Sequence, residues 1–397
     1  MSKPSDSLGA SPPSGEGRLL RSNGPHPPAS SGSVPSAGRE EAVTAAPAGA
    51  TAPMSKEQAF SLFFRRDLES LAAEARRIAS LQFGDAVYLR GLIEFTNHCA
   101  ADCLYCGIRR SNPAPRRYRL TDDEILHAVD EGFERGLRTF VLQGGEDAAF
   151  DTQRLARLCT AIKERSQGEA ALTLSCGIRS LKDYKALKSA GADRYLMRFE
   201  TSDPQLHQYL RNGSTLQRRL KALYDLKDAG FQVGSGFMVG LPGESDEVVL
   251  RNVELCAEME VDMAGVGPFI PHPETPLAES EQVGLERALY ATALLRILCP
   301  QTHIPATTAA GSLQKDGRER MIACGANVLM PNLTPVSAKK DYLLYPGKIC
   351  LDESGLQCVG CLSMRVRTVD REISFDRADG RAGGPRQPVL ELGAARD

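Results

Sequence analysis

The stretch Phe95-Thr-Asn-His-Cys99-Ala-Ala-Asp-Cys103-Leu-Tyr-Cys106-Gly107 decides how this 397-residue chain is interpreted. Its three cysteines follow the spacing C-x3-C-x2-C. Thiolates are soft ligands suited to iron–sulfur clusters, which usually take four cysteines. A local triplet without an obvious fourth partner therefore predicts a [4Fe-4S] cluster in which one iron is open to another ligand.

A zinc site is the alternative use of the same cysteines. Tetrahedral zinc needs a fourth ligand nearby, and His98 is the only close candidate. Because His98 is adjacent to Cys99 in the chain, it is awkward for both to bind one tetrahedral ion. The spacing therefore favours the cluster over zinc and over ordinary core cysteines.

The composition of the whole chain narrows the class of protein. The formal net charge is −2 and the pI is about 6.4, so bulk electrostatics favour neither nucleic acid nor an anionic membrane. No apolar run approaches the roughly 18 residues of a transmembrane helix. Eleven cysteines without a secretory apolar region indicate a reducing compartment. We therefore predict a cytoplasmic protein with no membrane or nucleic-acid partner.

Residues 1–53 differ in composition from the rest of the chain. They are rich in Pro, Ser, Gly and Ala and contain almost no large apolar residues. Such a segment cannot bury enough surface to offset its ordering entropy, which predicts a disordered tail. Met54 directly precedes the first amphipathic helix and is an alternative start site, which the intact mass of the natively expressed protein would settle. We predict a helical segment over residues 54–84.

Strand and helix patterns alternate along the next part of the chain. β-rich runs recur about every 30 residues, at Val87–Phe95, Thr139–Gln143, Ala171–Ser175, Arg194–Phe199, Phe231–Met238, Met263–Phe269, Ile304–Thr308 and Asn327–Met330. Helical patterns lie between them, at Asp122–Arg135, Gln153–Arg165, Leu181–Ala190, Leu216–Gly230 and Glu247–Glu260. Eight alternating strands favour a complete (β/α)8 barrel over an open α/β sheet.

This interpretation sets the domain boundaries and the face that carries the site. We assign residues 85–345 to the barrel, 346–367 to a second cysteine segment and 368–397 to a flexible tail. Sites in such barrels lie at the carboxyl ends of the strands. Because the cysteine triplet follows the first strand, we expect it on that face.

Other strand ends carry residues suited to a polar ligand. Gln143-Gly144-Gly145-Glu146 combines glycines, which permit close backbone approach, with a carboxylate for an ammonium group, although an ordinary turn is the alternative. Arg194 and Arg198 would be costly inside a barrel unless paired or bound to a polar ligand; a structural pair with Glu200 is the alternative. Arg219 could bind a carboxylate with its bidentate fork.

The cysteine triplet, with an aromatic residue before its last cysteine, resembles the radical-SAM motif. Gly144-Gly145-Glu146 resembles the segment that binds the amine of S-adenosylmethionine (SAM) in these enzymes. Over residues 81–361 the chain resembles, more specifically, the HydE family of [FeFe]-hydrogenase maturases, which belongs to the biotin synthase-like group. The matching segments are Ile93-Glu-Phe-Thr-Asn, Tyr105-Cys-Gly-Ile-Arg-Arg110, Ala192-Asp-Arg-Tyr-Leu, Gly267-Pro-Phe-Ile-Pro-His-Pro, Ile304-Pro-Ala-Thr-Thr-Ala, Gly325-Ala-Asn-Val and Leu344-Tyr-Pro-Gly-Lys-Ile-Cys350.

The resemblance implies two sets of site residues beside the cluster ligands Cys99, Cys103 and Cys106. The SAM shell would be Tyr105, Gln143, Gly144, Gly145, Glu146, Glu200, Arg219, Met238 and Ile270. The substrate cavity would be lined by Thr173, Ser175, Arg194, Arg198, Met263, Thr307, Thr308, Ala309, Met330 and Tyr342. One position departs from the family pattern, because Ile178 stands where an acidic residue is expected, and this leaves the exact substrate open.

A second cysteine set, Cys350-x7-Cys358-x2-Cys361, matches an auxiliary cluster site found in some members of the family. Three thiolates could hold a [2Fe-2S] cluster with one outside ligand, or a labile [4Fe-4S] cluster. A zinc knuckle or unoccupied thiols are the alternatives. The remaining cysteines have no ligand-like spacing and are expected in the core: Cys159, Cys176, Cys256, Cys299 and Cys324.

The resemblance also implies a function. SAM would be cleaved to methionine and a 5′-deoxyadenosyl radical, which acts on a cysteine-bound iron–carbonyl–cyanide precursor during assembly of the diiron subcluster. The implied partners are a small-molecule or organometallic substrate, an electron donor such as flavodoxin or ferredoxin, and a scaffold GTPase. One alternative is an enzyme similar to methylornithine synthase that acts on an amino acid. Another is a non-catalytic iron–sulfur carrier. Biotin synthase is disfavoured, because no Asn-His-Asn-Leu-Asp stretch follows the fourth strand.

Overall fold

A computed structural model describes residues 53–380, apart from Ser354 and Leu356. The predicted disordered tail lies outside the described residues except for Pro53, and so do residues 381–397 of the predicted C-terminal tail. The strands are β1 Ala86–Leu89, β2 Gly91–Thr96, β3 Thr139–Gly144, β4 Ala171–Ser175, β5 Arg194–Leu196, β6 Gln232–Val239, β7 Met263–Pro268, β8 Val328–Leu329 and β9 Glu372–Ser374.

The helices alternate with these strands over most of the chain. They are α1 Lys56–Phe64, α2 Leu68–Phe83, α3 Asp122–Glu134, α4 Thr152–Arg165, α5 Leu181–Ser189, α6 Pro204–Leu210, α7 Leu216–Asp228, α8 Asp246–Glu258, α9 Glu286–Leu298, α10 Thr308–Leu313, α11 Gly317–Ala323, α12 Val336–Lys339 and α13 Gln357–Arg367. α1 and α2 occupy the segment that was predicted to be helical ahead of the first strand. No helix in the described residues is long and apolar enough to cross a membrane.

Six strands form one parallel sheet in the order β2-β3-β4-β5-β6-β7, which is the order of the chain. Its central strands are buried on both faces; Phe140, Val141 and Leu142 of β3 have no exposed surface. This burial is typical of a parallel sheet that is covered by helices. The α/β alternation predicted from the sequence is therefore present in the structure.

The predicted complete barrel appears only in part. Within the described residues, the ladders form the six-stranded sheet and a separate three-stranded sheet, β8-β1-β9. The predicted seventh strand, Ile304–Thr308, is not a continuous strand. Single parallel bridges, Met263 to His303, Pro305 to Val328 and Leu92 to Asn332, link this region to both edges of the larger sheet.

Local signals in the sequence place the helix ends. Thr121 forms a capping box, since its side chain accepts a hydrogen bond from the backbone N–H of Glu124 and its own N–H donates to the Glu124 carboxylate at 2.8 Å. Gly136, Gly191 and Gly230 follow α3, α5 and α7 with positive φ, as expected for residues that stop helices. These stops return the chain to the next strand at the amino end of the sheet.

The prediction of a flexible tail from residue 368 was wrong for residues 368–380. β9 pairs in parallel with β1, and the chain then turns under the amino ends of the strands. There the Asp379 carboxylate lies 2.6 Å from Nη2 of Arg194, whose guanidinium is 5% exposed. A buried guanidinium needs acceptors, and this segment supplies them: the carbonyl oxygens of Arg377 and Ala378 also accept from Arg194.

Replacing Asp379 by Asn is expected to lower the free energy of unfolding by about 1–2 kcal/mol, because it removes the charged acceptor of a buried arginine while other acceptors remain. The denaturant midpoint measures this. Asp376→Asn is the matched control, since Asp376 is exposed and bonds only within its own turn. Equal midpoints for the two variants would show that the ion pair does not fasten this segment.

Candidate active site

The cysteine triplet lies in the loop after β2, on the carboxyl side of the sheet. The loop is fastened by backbone hydrogen bonds to three other loops: Ala100 N to Glu146 O at 2.8 Å, Leu104 N to Leu210 O at 2.8 Å, and Gly107 N to Leu344 O at 3.0 Å. The cysteine loop is therefore held by the segment after β3, the end of α6 and the segment after α12, on the face where it was predicted to lie.

The three thiols lie in a largely buried setting. Burial raises the pKa of Cys99 and of Cys106, and the charge of Cys103 raises both further. Thiolates gathered in this way are stabilised by a metal centre rather than by solvent. No three His, Cys, Asp or Glu side chains within residues 53–380 are arranged to hold a single metal ion. In a four-iron cluster each thiolate binds a separate iron, so the three thiolates need not converge on one ion. The cysteine triplet therefore fits a four-iron cluster.

An ion pair stiffens the cysteine loop from within. Asp102 accepts two hydrogen bonds from the Arg109 guanidinium, at 2.9 and 2.6 Å, and two more from the N–H and hydroxyl of Ser111. The Arg109 hydrogen bonds lower the pKa of Asp102 to about 2. The carboxylate is therefore charged throughout the neutral range and links the two halves of the cysteine loop through Arg109 and Ser111.

The Gly-Gly-Glu segment at the end of β3 packs directly on the cysteine loop. A Cβ atom on Gly145 would lie 2.1 Å from the carbonyl oxygen of His98, so only glycine fits there. The Glu146 N–H lies 3.4 Å from Cys99 Sγ. Its carboxylate lies 3.6 Å from Arg211 and 3.9 Å from Arg219. The structure thus places the predicted amine-binding carboxylate beside the cysteine triplet.

Several polar atoms in this region are buried and have no hydrogen-bond partner. They are Arg219 Nη1, Arg211 Nε, Arg198 Nε and Nη2, and Glu200 Oε2. Arg198 and Glu200 lie 3.0 Å apart but without hydrogen-bond geometry, and Glu200 has a φ of +72°. Buried polar atoms left unpaired are costly unless a ligand satisfies them. Mixed charges of this kind match a ligand that carries both an ammonium and a carboxylate group.

Arg211 is a site residue that was not predicted from the sequence. It is buried, donates to the Tyr105 hydroxyl at 3.1 Å, and stands beside Glu146. Burial alone would lower its pKa, but Tyr105, Cys103 and the nearby glutamates raise it, so the residue stays a cation. It follows the short helix α6 and belongs to no motif, so only the contact between α6 and the cysteine loop reveals it.

One wall of this region is apolar. Met238, at the end of β6, packs with Leu241, Phe269 and Leu277, and the ring of Tyr105 lies against the same group. Ile270 follows Phe269 and is half-buried. The structure therefore brings Met238 and Ile270, two residues of the predicted SAM shell, to the same side of the sheet as the cysteines, next to an apolar surface.

The predicted substrate residues fall into two groups, one near the carboxyl ends of the strands and one toward their amino ends. Near the carboxyl ends, the buried Tyr342 hydroxyl lies 3.4 Å from the side-chain amide of Gln143, and Ser175 pairs with Gln143 in register. Thr307 caps α10 and packs above Gly267. Four more residues belong to this group. Arg198 follows β5, Thr308 and Ala309 begin α10, and Met330 follows β8.

Thr173, Arg194 and Met263 do not join that group. They line a small cavity of about 10 Å³ toward the amino ends, together with Arg90 and His303. Arg194 and Met263 are the first residues of β5 and β7. The predicted substrate contact of Arg194 is therefore corrected, because the chain's own Asp379 occupies its guanidinium.

Ile178 lines an open cavity of about 370 Å³, whose lining also includes Cys103, Glu146 and Arg211. The position that departs from the family pattern therefore lies at the mouth of the site. An apolar side chain there removes a negative charge that an acidic residue would have placed beside the cysteine loop.

The second cysteine set is only partly assembled. Cys350 Sγ and Cys358 Sγ lie 3.7 Å apart, whereas Cys361 is exposed on the next turn of α13. The five cysteines expected in the core, Cys159, Cys176, Cys256, Cys299 and Cys324, are all buried.

Comparisons with known proteins agree with this geometry. The family model of the radical SAM superfamily matches residues 93–256. The chain is 42% identical over 328 residues to the [FeFe] hydrogenase maturase subunit HydE of Thermotoga maritima, which covers 83% of this chain and 91% of that protein. It is 27% identical to 3-methylornithine synthase of Methanosarcina barkeri, over 70% of this chain and 78% of that protein. The crystal structure of methylornithine synthase (PylB) superposes with a TM-score of 0.71 at 24% identity, over 81% of this chain and 94% of that one, which shows a shared fold.

Proposed function

Because the chain belongs to the radical SAM superfamily and, within it, to the family of the [FeFe] hydrogenase maturase subunit HydE, we propose that it acts in assembly of the diiron subcluster of [FeFe]-hydrogenase. It is a radical SAM enzyme that uses a [4Fe-4S] cluster and SAM. The observation that carries the proposal is the meeting of Cys99, Cys103 and Cys106 with Glu146 and two buried arginines at one end of the sheet.

The residues have separate roles in this proposal. Cys99, Cys103 and Cys106 would hold the cluster, which when reduced and bound to SAM would supply a 5′-deoxyadenosyl radical. Glu146 holds the SAM amine, and Arg219, whose Nη1 lacks a partner, holds its carboxylate. The remaining SAM shell comprises Tyr105, Gln143, Gly144, Gly145, Glu200, Met238 and Ile270.

We further propose that the strands close into an eight-stranded barrel around the substrate. Support comes from the single bridges at His303, Pro305 and Asn332, which lie between the two edges of the six-stranded sheet. A closed wall excludes water from a radical reaction. Ser175, Arg198, Thr307, Thr308, Ala309, Met330 and Tyr342 would face the substrate from the carboxyl ends.

The auxiliary cysteines and the partners are part of the same proposal. Cys350, Cys358 and Cys361 hold a second, labile iron–sulfur cluster at the surface, which the 3.7 Å approach of the first two supports. The enzyme works in the cytoplasm with a low-potential flavodoxin or ferredoxin, an organometallic substrate and a scaffold GTPase.

A second candidate is an enzyme that acts on an amino acid, as the name of the methylornithine synthase relative indicates. Arg198 favours it, because its Nε and Nη2 make no hydrogen bond, although Nη2 lies 3.0 Å from Glu200 Oε2, and could bind a substrate carboxylate.

A cell-free hydrogenase maturation mixture that lacks only this component tests the main proposal. Addition of the reconstituted chain is expected to restore hydrogen evolution, and Cys103→Ala is expected not to. Active SAM cleavage without restored hydrogenase would favour the amino-acid enzyme. Restoration by a variant substituted at Glu146 and Arg219 that keeps its clusters would favour a carrier role.

A further inference from the structure

The open cavity beside the cysteine loop has a solvent-facing rim. Cys103 and Glu146 line the cavity, which has a volume of about 370 Å³. Arg110, Asn212 and Arg218 line it too and are exposed. A cysteine predicted to bind the cluster is thus reached from the protein surface at this place.

The rim carries uncompensated positive charge. The cavity contains two carboxylates, and each already has an arginine: Asp102 is 2.6 Å from Arg109, and Glu146 is 3.6 Å from Arg211. Arg110 and Arg218 contact no carboxylate within the described part of the chain. Two exposed guanidinium groups therefore face solvent at the mouth of an otherwise balanced cavity.

An exposed aromatic side chain lies on helix α6, whose last residue contacts the cysteine loop. Tyr209 is 55% exposed on α6, two residues before Arg211. The next residue, Leu210, accepts a hydrogen bond from Leu104 N in the cysteine loop. Tyrosine and arginine are enriched at the contact surfaces of proteins. The exposed guanidinium groups of Arg110 and Arg218 at the mouth of the cavity, called here the basic rim, are therefore suited to a protein partner with an acidic face.

Building on the function proposed above, we propose that the basic rim is the docking site of the electron donor, an acidic one-electron flavoprotein of the flavodoxin type. The reaction of a radical SAM enzyme consumes one electron from outside. The reduced flavin is oxidised by one electron, the cluster held by the cysteine loop gains it, and no covalent bond forms. Complementary charge speeds such encounters and aligns the donor with Cys103.

The test measures binding of an oxidised, acidic flavodoxin to the reconstituted protein. The double variant Arg110→Glu with Arg218→Glu is expected to weaken binding at least tenfold at low salt and to lose most of its salt dependence. Arg135→Glu with Arg157→Glu is the matched control, because it makes the same charge change at two exposed arginines, one directly after α3 and one in α4. We expect less than a twofold effect from it.

A second readout separates docking from SAM chemistry. Reduction of the cluster by the flavodoxin is expected to slow in the rim variant, while photoreduced deazaflavin, a small neutral reductant, still supports SAM cleavage at the wild-type rate. Unchanged flavodoxin affinity in the rim variant would overturn the proposal. Weaker SAM binding in that variant would overturn it too and identify the rim as the SAM entrance. If no SAM is cleaved with either reductant, the proposed function fails instead, whatever the binding result.

Discussion

Cys103→Ala is expected to abolish assembly of the [4Fe-4S] cluster and to lower SAM cleavage by at least about 100-fold. Even residues that only support metal ligands typically change metal affinity by about 10- to 100-fold, so loss of a direct ligand has a larger effect. The other two cysteines of the loop, Cys99 and Cys106, cannot replace it, because each is itself a proposed cluster ligand. Iron and sulfide content and 5′-deoxyadenosine formation measure the two effects.

Cys159→Ala is the matched control for this prediction. Cys159 is also buried, but it lies in α4 and packs in the hydrophobic core. Its removal is expected to cost some stability and no iron. If Cys103→Ala kept its cluster and its SAM cleavage, the assignment of the triplet as cluster ligands would be refuted.

Glu146→Gln is expected to weaken SAM binding by about 10- to 100-fold, without loss of iron. The substitution keeps the shape of the side chain but removes the charge that faces an ammonium group. Truncating one member of a desolvated charge pair costs about 2–5 kcal/mol, and each 1.4 kcal/mol is tenfold in affinity. The lower part of that range applies, because the Glu146 side chain is 34% exposed.

Equilibrium dialysis with SAM, performed on protein of equal iron content, measures the effect at Glu146. Glu164→Gln makes the same chemical change at an exposed position on α4 and is expected to leave the affinity unchanged. Equal SAM affinity in the Glu146 variant and the wild type would mean that the carboxylate serves only to balance Arg211 and Arg219.

Much of the site could be predicted because its signals are local. The glycines of Gly144-Gly145 are needed where two loops approach closely, and Thr121 starts a helix through a short-range capping box. The family resemblance then attached roles to residues that no spacing rule distinguishes, such as Met238. Signals of this kind are complete within a few residues of sequence.

The end of the sheet at which a strand residue lies was not predictable in the same way. Alternation tells which face of a strand a side chain occupies, but not which end of the sheet it approaches. Thr173 and Arg194 were therefore grouped with substrate residues, although they lie toward the amino ends. Arg211 was missed for a related reason, because its role depends on where α6 packs and not on its neighbours in the chain.

The order of the segment after residue 368 could not be predicted from its composition either. Its composition resembles a tail, but residues 377–379 give the buried Arg194 guanidinium three further acceptors beside the side chains of Gln232 and Thr139. The ordering of residues 377–380 thus depends on a partner about 185 residues away in the chain. Composition describes the segment alone and cannot register such a contact.

The most direct test of the central claim is 5′-deoxyadenosine formation by the anaerobically reconstituted, reduced protein supplied with SAM. We predict that wild-type protein forms 5′-deoxyadenosine and methionine in equal amounts, and that Cys103→Ala forms neither. Failure of the wild-type protein to cleave SAM with its four-iron cluster fully assembled would show that the cysteine triplet and Glu146 do not form a SAM-cleaving site.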